Sequence, residues 1–271
     1  MNKNIKAILL LIVFVCCHLF MRSLFPSEWV STLRELDSGS GVVLSLASWL
    51  FIFGPFVVLT LILFRNEDWL TTLGLRSDNG KWYLKAAVIT CMPMCIGYAY
   101  LSTSLDLSLA NILTGSVYPA FFEEIIFRGV LFGLLFRICK WGFVPAALVS
   151  SLIFGFGHLY QTNDVMSGLM MFGFMAVAGS WFAWLYCECG YRIWYPMWMH
   201  FIMNAAYGIF GMSGGAMGEA DANIFKASAI ILSIVYVTWL IKNGKKREVT
   251  KQRLFKNRDT ELTIQLNSVT V

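Results

Sequence analysis

The chain has 271 residues, of which 58% are hydrophobic and only 14% charged, against roughly 45–50% and about 25% in soluble domains. That balance excludes an ordinary water-soluble domain and indicates an integral membrane protein with little chain left over for a separate soluble part. The formal net charge of +5 resides mostly in a polar C-terminal tail, with no basic pattern interleaved with aromatics, so nucleic acid is not an expected partner.

Taking roughly 20 apolar residues as the length of a span predicts eight helices, at about 7–21, 41–64, 82–101, 117–136, 143–159, 165–187, 193–210 and 224–241. The fold class is therefore all-α, a polytopic membrane helix bundle. The chain divides into N-terminal spans of unassigned role (1–116), a core (117–210), a last span (211–241) and a basic tail (242–271), all within one bundle. The stretch Gly211 to Gly218 reads as a turn-rich connector. Basic residues alternate between loops. Lys3 and Lys6 precede the first span, Arg65, Arg76 and Lys81 follow the second, Arg137 and Lys140 follow the fourth, and Arg192 follows the sixth. In the opposite loops Arg22 and Arg34 are offset by Glu28, Glu35 and Asp37, and 102–116 carries Asp106 as its only charge. The positive-inside rule then places both termini in the cytoplasm. The tail, with Lys245, Lys246, Arg247, Lys251, Arg253, Lys256 and Arg258, reads as solvated or in contact with lipid headgroups. The first segment lacks a cleavage signature and is expected to be retained.

Seven cysteines, at 16, 17, 91, 95, 139, 187 and 189, show neither zinc-ribbon spacing nor a disulfide framework and are read as small buried hydrophobes. His18 has no polar partner on its own face within the first span and is assigned to packing or the membrane interface.

The fourth span contains Phe-Phe-Glu-Glu-Ile-Ile-Phe-Arg-Gly, with Glu123, Glu124 and Arg128 in an otherwise apolar run. Each ionisable group at the centre of a span costs roughly 2.5–3.5 kcal/mol on insertion scales, so three together imply either a structural ion cluster or a function. Glu124 and Arg128 lie four apart and can neutralise one another. Glu123, rotated about 100° away, is not served by that pair, and an unpaired carboxylate in low dielectric suits a general base working on water. The fifth span ends with Phe154 and His158 one turn apart, beside Gly155 and Gly157, and the seventh places His200 and Asn204 four apart on one face. Those two side chains can meet an oxyanion, ligate metal through the imidazole, or serve as polar glue between helices.

Glu-Glu-x-x-x-Arg, Phe-x-x-x-His and His-x-x-x-Asn, in that order on separate apolar spans, resemble the motif set of the CPBP intramembrane proteases, the group that includes the type II CAAX prenyl endopeptidases and bacteriocin-processing, Abi-like bacterial members. The resemblance covers about Val117 to Tyr207. It implies an endopeptidase whose water is activated by Glu123 with His158, whose oxyanion is met by His200 and Asn204, and whose site is braced by Glu124 and Arg128, with Phe154 in support. The cofactor is left open between zinc, held by Glu123, His158 and His200, and none. The implied partners are a membrane-associated peptide or protein substrate and the bilayer, and the implied location is a bacterial plasma membrane. Two other readings stand beside it: an ion- or proton-coupled transporter, and a non-proteolytic immunity or scaffold protein.

Overall fold

In the computed structural model, residues 2–24, 38–76, 80–159, 162, 164–214 and 218–257 are described. Glu28, Arg34, Glu35 and Asp37, residues 215–217 of the connector, and the tail from Arg258 onward lie outside them. Eight long helical elements appear where the apolar runs predict them. They are α1 (Lys3–Leu24), α2 (Ser38–Leu63), α3 (Gly80–Leu101), a composite rod α4 (109–138), α5 (Phe143–Phe156), α6 (Val165–Glu188), α7 (Trp194–Ile209) and α8 (Ala220–Lys242). No strand is present among the described residues; a single isolated bridge joins Trp141 and Lys256.

Five of these helices, α1, α2, α3, α6 and α8, are long and apolar enough to cross a membrane, and the chain is a multi-pass membrane protein. The others differ for identifiable reasons. At about 1.5 Å per residue, the 14 residues of α5 and the 16 of α7 fall short of a hydrocarbon core of about 30 Å. The rod α4 begins eight residues before the predicted span and winds unevenly. Short α-helical turns at Leu109–Ile112 and Tyr118–Glu123 alternate with wider π-helical turns at Leu113–Val117, Glu124–Phe132 and Leu134–Ile138. Such wide turns are rare and concentrate at functional sites. From Glu124 to Phe136 every residue of the rod is buried, as expected of a helix that is apolar all round and enclosed by protein.

Two apolar clusters flank the rod. One joins α1, α2, α5 and the buried half of α4 through Phe14, Phe56, Phe132 and Phe136; the other joins α3, α7 and α8 through Tyr98, Met199, Ala229 and Val237. α6 contributes to both, with Met171 and Tyr186 in the first and Phe182 and Leu185 in the second. α5 and α6 approach closely at Gly155, where a Cβ would come within 2.9 Å of the Phe172 carbonyl oxygen. His18 packs between the rings of Phe14 and Phe53, in line with the first of its two assignments, packing. Cys91, Cys139, Cys187 and Cys189 are buried free thiols, whereas Cys16 is exposed.

The helix ends at one face of the bundle are tied together. Arg137 at the end of α4 donates to the Thr71 carbonyl at 2.8 Å and to the Tyr186 hydroxyl at 3.2 Å. Trp194 at the start of α7 donates to the carbonyls of Leu75 and Arg76. Tyr83 of α3 donates to the Cys189 carbonyl at 3.1 Å. The tail departs from its reading as a solvated end, because it turns back onto this face as far as Asn257. The backbone N–H groups of Glu248 and Val249 each donate to the buried Glu188 carboxylate at 3.0 Å. Arg253 pairs with Glu248 at 2.6 Å and covers the Phe136 ring. Asn257 accepts from Arg253 and donates to the Phe136 carbonyl at 2.8 Å. Polar segments can leave water when a buried carboxylate and free helix-end carbonyls offer them bonds of this kind.

Candidate active site

Where the two apolar clusters meet, a cavity of about 570 Å³ opens between α3, α4, α5, α6, α7 and α8. Glu123, Arg128, Phe154, His158, His200 and Asn204 all line it. The three motifs, widely separated in sequence, therefore converge on one hollow inside the bundle.

Glu124 is fully buried and sits at the junction of two partners. Its Oε1 lies 3.0 Å from Arg128 Nη1, one turn along the rod, and 2.9 Å from His200 Nδ1 on α7. The predicted i,i+4 pair is thus present, and it extends across to the seventh helix. Arg128 is held on both sides by rings, its guanidinium carbon 4.8 Å from the centre of Phe154 and 4.9 Å from that of Phe182. One cation therefore bridges the two apolar clusters, each such contact contributing about 0.5–2 kcal/mol. Phe154 packs on the His158 ring at 4.6 Å and on Phe127 at 4.9 Å, which fixes the imidazole against the rod. Ser150 of α5 donates to the Phe127 carbonyl at 2.9 Å, a second tie between α5 and the irregular part of the rod.

The imidazoles are oriented by their Nδ1 atoms. His158 Nδ1 lies 2.9 Å from the Phe154 carbonyl; a carbonyl only accepts, so Nδ1 carries the hydrogen and the neutral ring has its lone pair on Nε2. In the neutral ring, His200 with Nδ1–H donated to Glu124 likewise turns Nε2 outward, to 3.8 Å from Glu123 Oε2. His158, the partner expected from the resemblance, stands in the same cavity wall as His200 and Glu123. Asn204 donates to the Gly115 carbonyl at 3.3 Å, which uses one of its two amide hydrogens.

Glu123, His158 and His200 were the ligands expected for a zinc ion. Among the described residues no three His, Cys, Asp or Glu side chains gather closely enough to hold a metal ion, so the donor set as placed does not fit a three-ligand site.

Residues that carried no motif also line the cavity. Phe182 sandwiches Arg128 from α6, Tyr98 of α3 is fully buried in the wall, and Lys226 of α8 places its ammonium 5.3 Å from the Phe174 ring. A lysine inside an apolar span was the available signal for the last of these; the aromatic residues gave none.

Residues 104–206 match the family described as type II CAAX prenyl endopeptidase Rce1-like. A relative from Bacillus subtilis (strain 168), described as "Putative membrane peptidase YdiL", is 38% identical over 93 residues. That alignment covers 34% of this chain and 34% of the relative, so the chain spans about a third of the relative's length. No solved structure matches. The matched segment runs from the loop before the rod nearly to the end of α7 and contains every motif residue in the cavity wall, and over this segment the chain is similar to the type II CAAX prenyl endopeptidase family.

Proposed function

We propose that this protein is an intramembrane endopeptidase that hydrolyses a peptide bond of a membrane-associated peptide or protein. The observation that carries the reading is the convergence of Glu123, His158, His200 and Asn204 on one cavity within a membrane bundle. A protease needs an activated water and polar donors in a space shielded from lipid, and buried ionisable groups facing a cavity meet that need.

The geometry supports a division of labour. Glu123 and the outward Nε2 of His158 are both acceptors, so a water between them gives one hydrogen to each and points an oxygen lone pair into the cavity. As the oxygen attacks the scissile carbonyl, Glu123 takes its proton. His200 Nε2, on the far side of that carboxylate, receives the proton and delivers it to the departing amine nitrogen, while Glu124 stabilises the imidazolium through Nδ1. The remaining amide hydrogen of Asn204 meets the oxyanion. Arg128 holds Glu124 in place. No step needs a metal, and a chelator is expected to leave turnover unchanged. The alternation of basic loops supports cytoplasmic termini in a plasma membrane.

The test compares peptides released from native membranes carrying the wild-type protein, Glu123→Gln or His158→Ala, followed by mass spectrometry. Fragments that depend on both residues are expected. Identical fragment profiles for all three would remove the proteolytic reading. Proton-coupled flux in proteoliposomes that survives both substitutions would favour the transporter.

A further inference from the structure

A second cavity, of about 320 Å³, lies far from the motif residues, at the face where the helix ends are tied. Its wall holds Lys3 and Lys6 of α1, Arg137 at the end of α4, Lys140 just beyond it, and one carboxylate, Glu67. We propose that this pocket binds the phosphate of an anionic phospholipid headgroup.

Four cations against one carboxylate make the hollow strongly complementary to an anion, and guanidinium and ammonium groups together suit a phosphate. Part of the frame is fixed from behind. Arg137 is held by the Thr71 carbonyl and the Tyr186 hydroxyl and lies against the Tyr191 ring, and Lys6 sits over the Phe64 ring at 5.3 Å. Lys140 has a φ of +63°, in the left-handed region uncommon for residues other than glycine. Its carbonyl accepts from the Asn257 N–H at 3.2 Å, so the docked tail holds the conformation that sets the fourth cation in the wall. Backbone held this way is a pointer to function when it coincides with a site.

The pocket's depth favours lipid over a soluble phosphate. Trp69, Trp82 and Trp239 are about half exposed at the same end of the bundle, the level at which indoles mark the membrane interface. Beside the pocket, Ile5, Ile8 and Ile12 form an exposed apolar row along α1, a surface for the acyl chains of a lipid whose headgroup is seated between the lysines. This inference is independent of the proteolytic reading.

The full chain is placed in nanodiscs of phosphatidylcholine alone or of phosphatidylcholine with phosphatidylglycerol, and the lipids retained on extraction are counted by native mass spectrometry. The wild type is expected to retain phosphatidylglycerol preferentially. Lys3→Gln/Lys6→Gln/Lys140→Asn is expected to lower that preference on the order of tenfold to a hundredfold, from the typical gain per basic residue at an anionic surface; asparagine at 140 tolerates the left-handed backbone. Lys246→Gln/Arg247→Gln/Lys251→Gln removes equal charge from the same end outside the pocket and is expected to lower it by about threefold less than the pocket variant, since it removes only the general surface attraction. Lys6→Gln alone gives a partial loss if the triple variant does not fold. Equal loss in both triple variants, no loss on Lys6→Gln, or no preference in the wild type overturns the site. Inorganic phosphate at millimolar concentration serves as the competing arm; if it displaces the lipid preference completely, a soluble anion is the ligand and the lipid assignment fails.

Discussion

Two buried polar clusters hold this bundle, and they differ in what surrounds them. At the tied face, Glu188 uses both carboxylate oxygens on backbone N–H groups and Asn257 uses both ends of its amide. In the interior cluster Glu124 Oε2 and Arg128 Nη1 are buried without a hydrogen-bond partner, although Arg128 lies within ion-pair distance of Glu124, and the cluster borders a cavity of about 570 Å³. Polar groups kept for structure alone are normally satisfied. Arg128 of the interior cluster lines the cavity, so that cluster stands beside open space, whereas Glu188 is closed over by the tail. The first cluster therefore reads as a fastening, and the second adjoins the proposed working site.

The largest expected effect separates the two at once. Glu123→Gln, which preserves shape while removing the proposed base, is expected to lower the cleavage rate by about 10²–10⁴-fold with little change in thermal unfolding. Glu188→Gln should leave the rate within about twofold. Initial rates on one substrate for both variants decide the matter, and comparable losses would erase the distinction.

Next comes stability. Arg128→Met leaves the Glu124 carboxylate buried without its cation, and breaking such a pair costs about 3–5 kcal/mol. Adding Glu124→Gln is expected to restore part of that loss, since the uncompensated charge disappears. Denaturation midpoints in detergent give the comparison. If the double variant is no more stable than the single one, Arg128 acts through its packing on Phe154 and Phe182 and not through charge.

These two clusters were not equally legible in the sequence. Apolar runs announced the helices because a bilayer demands them, and charges within such runs stood out; Glu124 with Arg128, and His200 with Asn204, followed from helical spacing. That Glu123 approaches His200 across helices, with Glu124 bridging Arg128 and His200, depends on how α4 and α7 pack, which no local spacing encodes. The wide turns of α4 were hidden for the same reason, since they answer to neighbours such as Ser150. The tail was read as solvated because its composition is polar and basic. Its docking depends on Glu188, a lone carboxylate between Cys187 and Cys189 that belongs to none of the motifs.

A smaller effect tests the fastening. Glu188→Gln replaces one acceptor oxygen by an amide that cannot accept, so one of the N–H groups at 248 and 249 loses its partner. The expected destabilisation is about 1–3 kcal/mol, read as a lower unfolding midpoint and earlier proteolysis after residue 244. An unchanged midpoint would mean that Arg253 and Asn257 hold the tail without it.

A small effect on turnover is expected at Gly142, where α5 begins against the tail. A Cβ there would stand 2.1 Å from the Phe255 carbonyl carbon and 2.5 Å from the Leu254 carbonyl oxygen, both backbone atoms that cannot rotate aside. Leu254 must therefore shift, and the bond from the Val144 N–H to its carbonyl, 2.8 Å long, lengthens or breaks. Gly142→Ala is expected to cost about 1–3 kcal/mol, the range for overpacking against atoms that must shift, and to speed hydrogen exchange at Val144 while cleavage stays within about twofold. A tail displaced without loss of turnover would show that the working site is held by the rod, α5 and α7 themselves. A matching fall in turnover would mean instead that the tail sets the position of α5, and with it His158, so that the fastening and the working site are mechanically one.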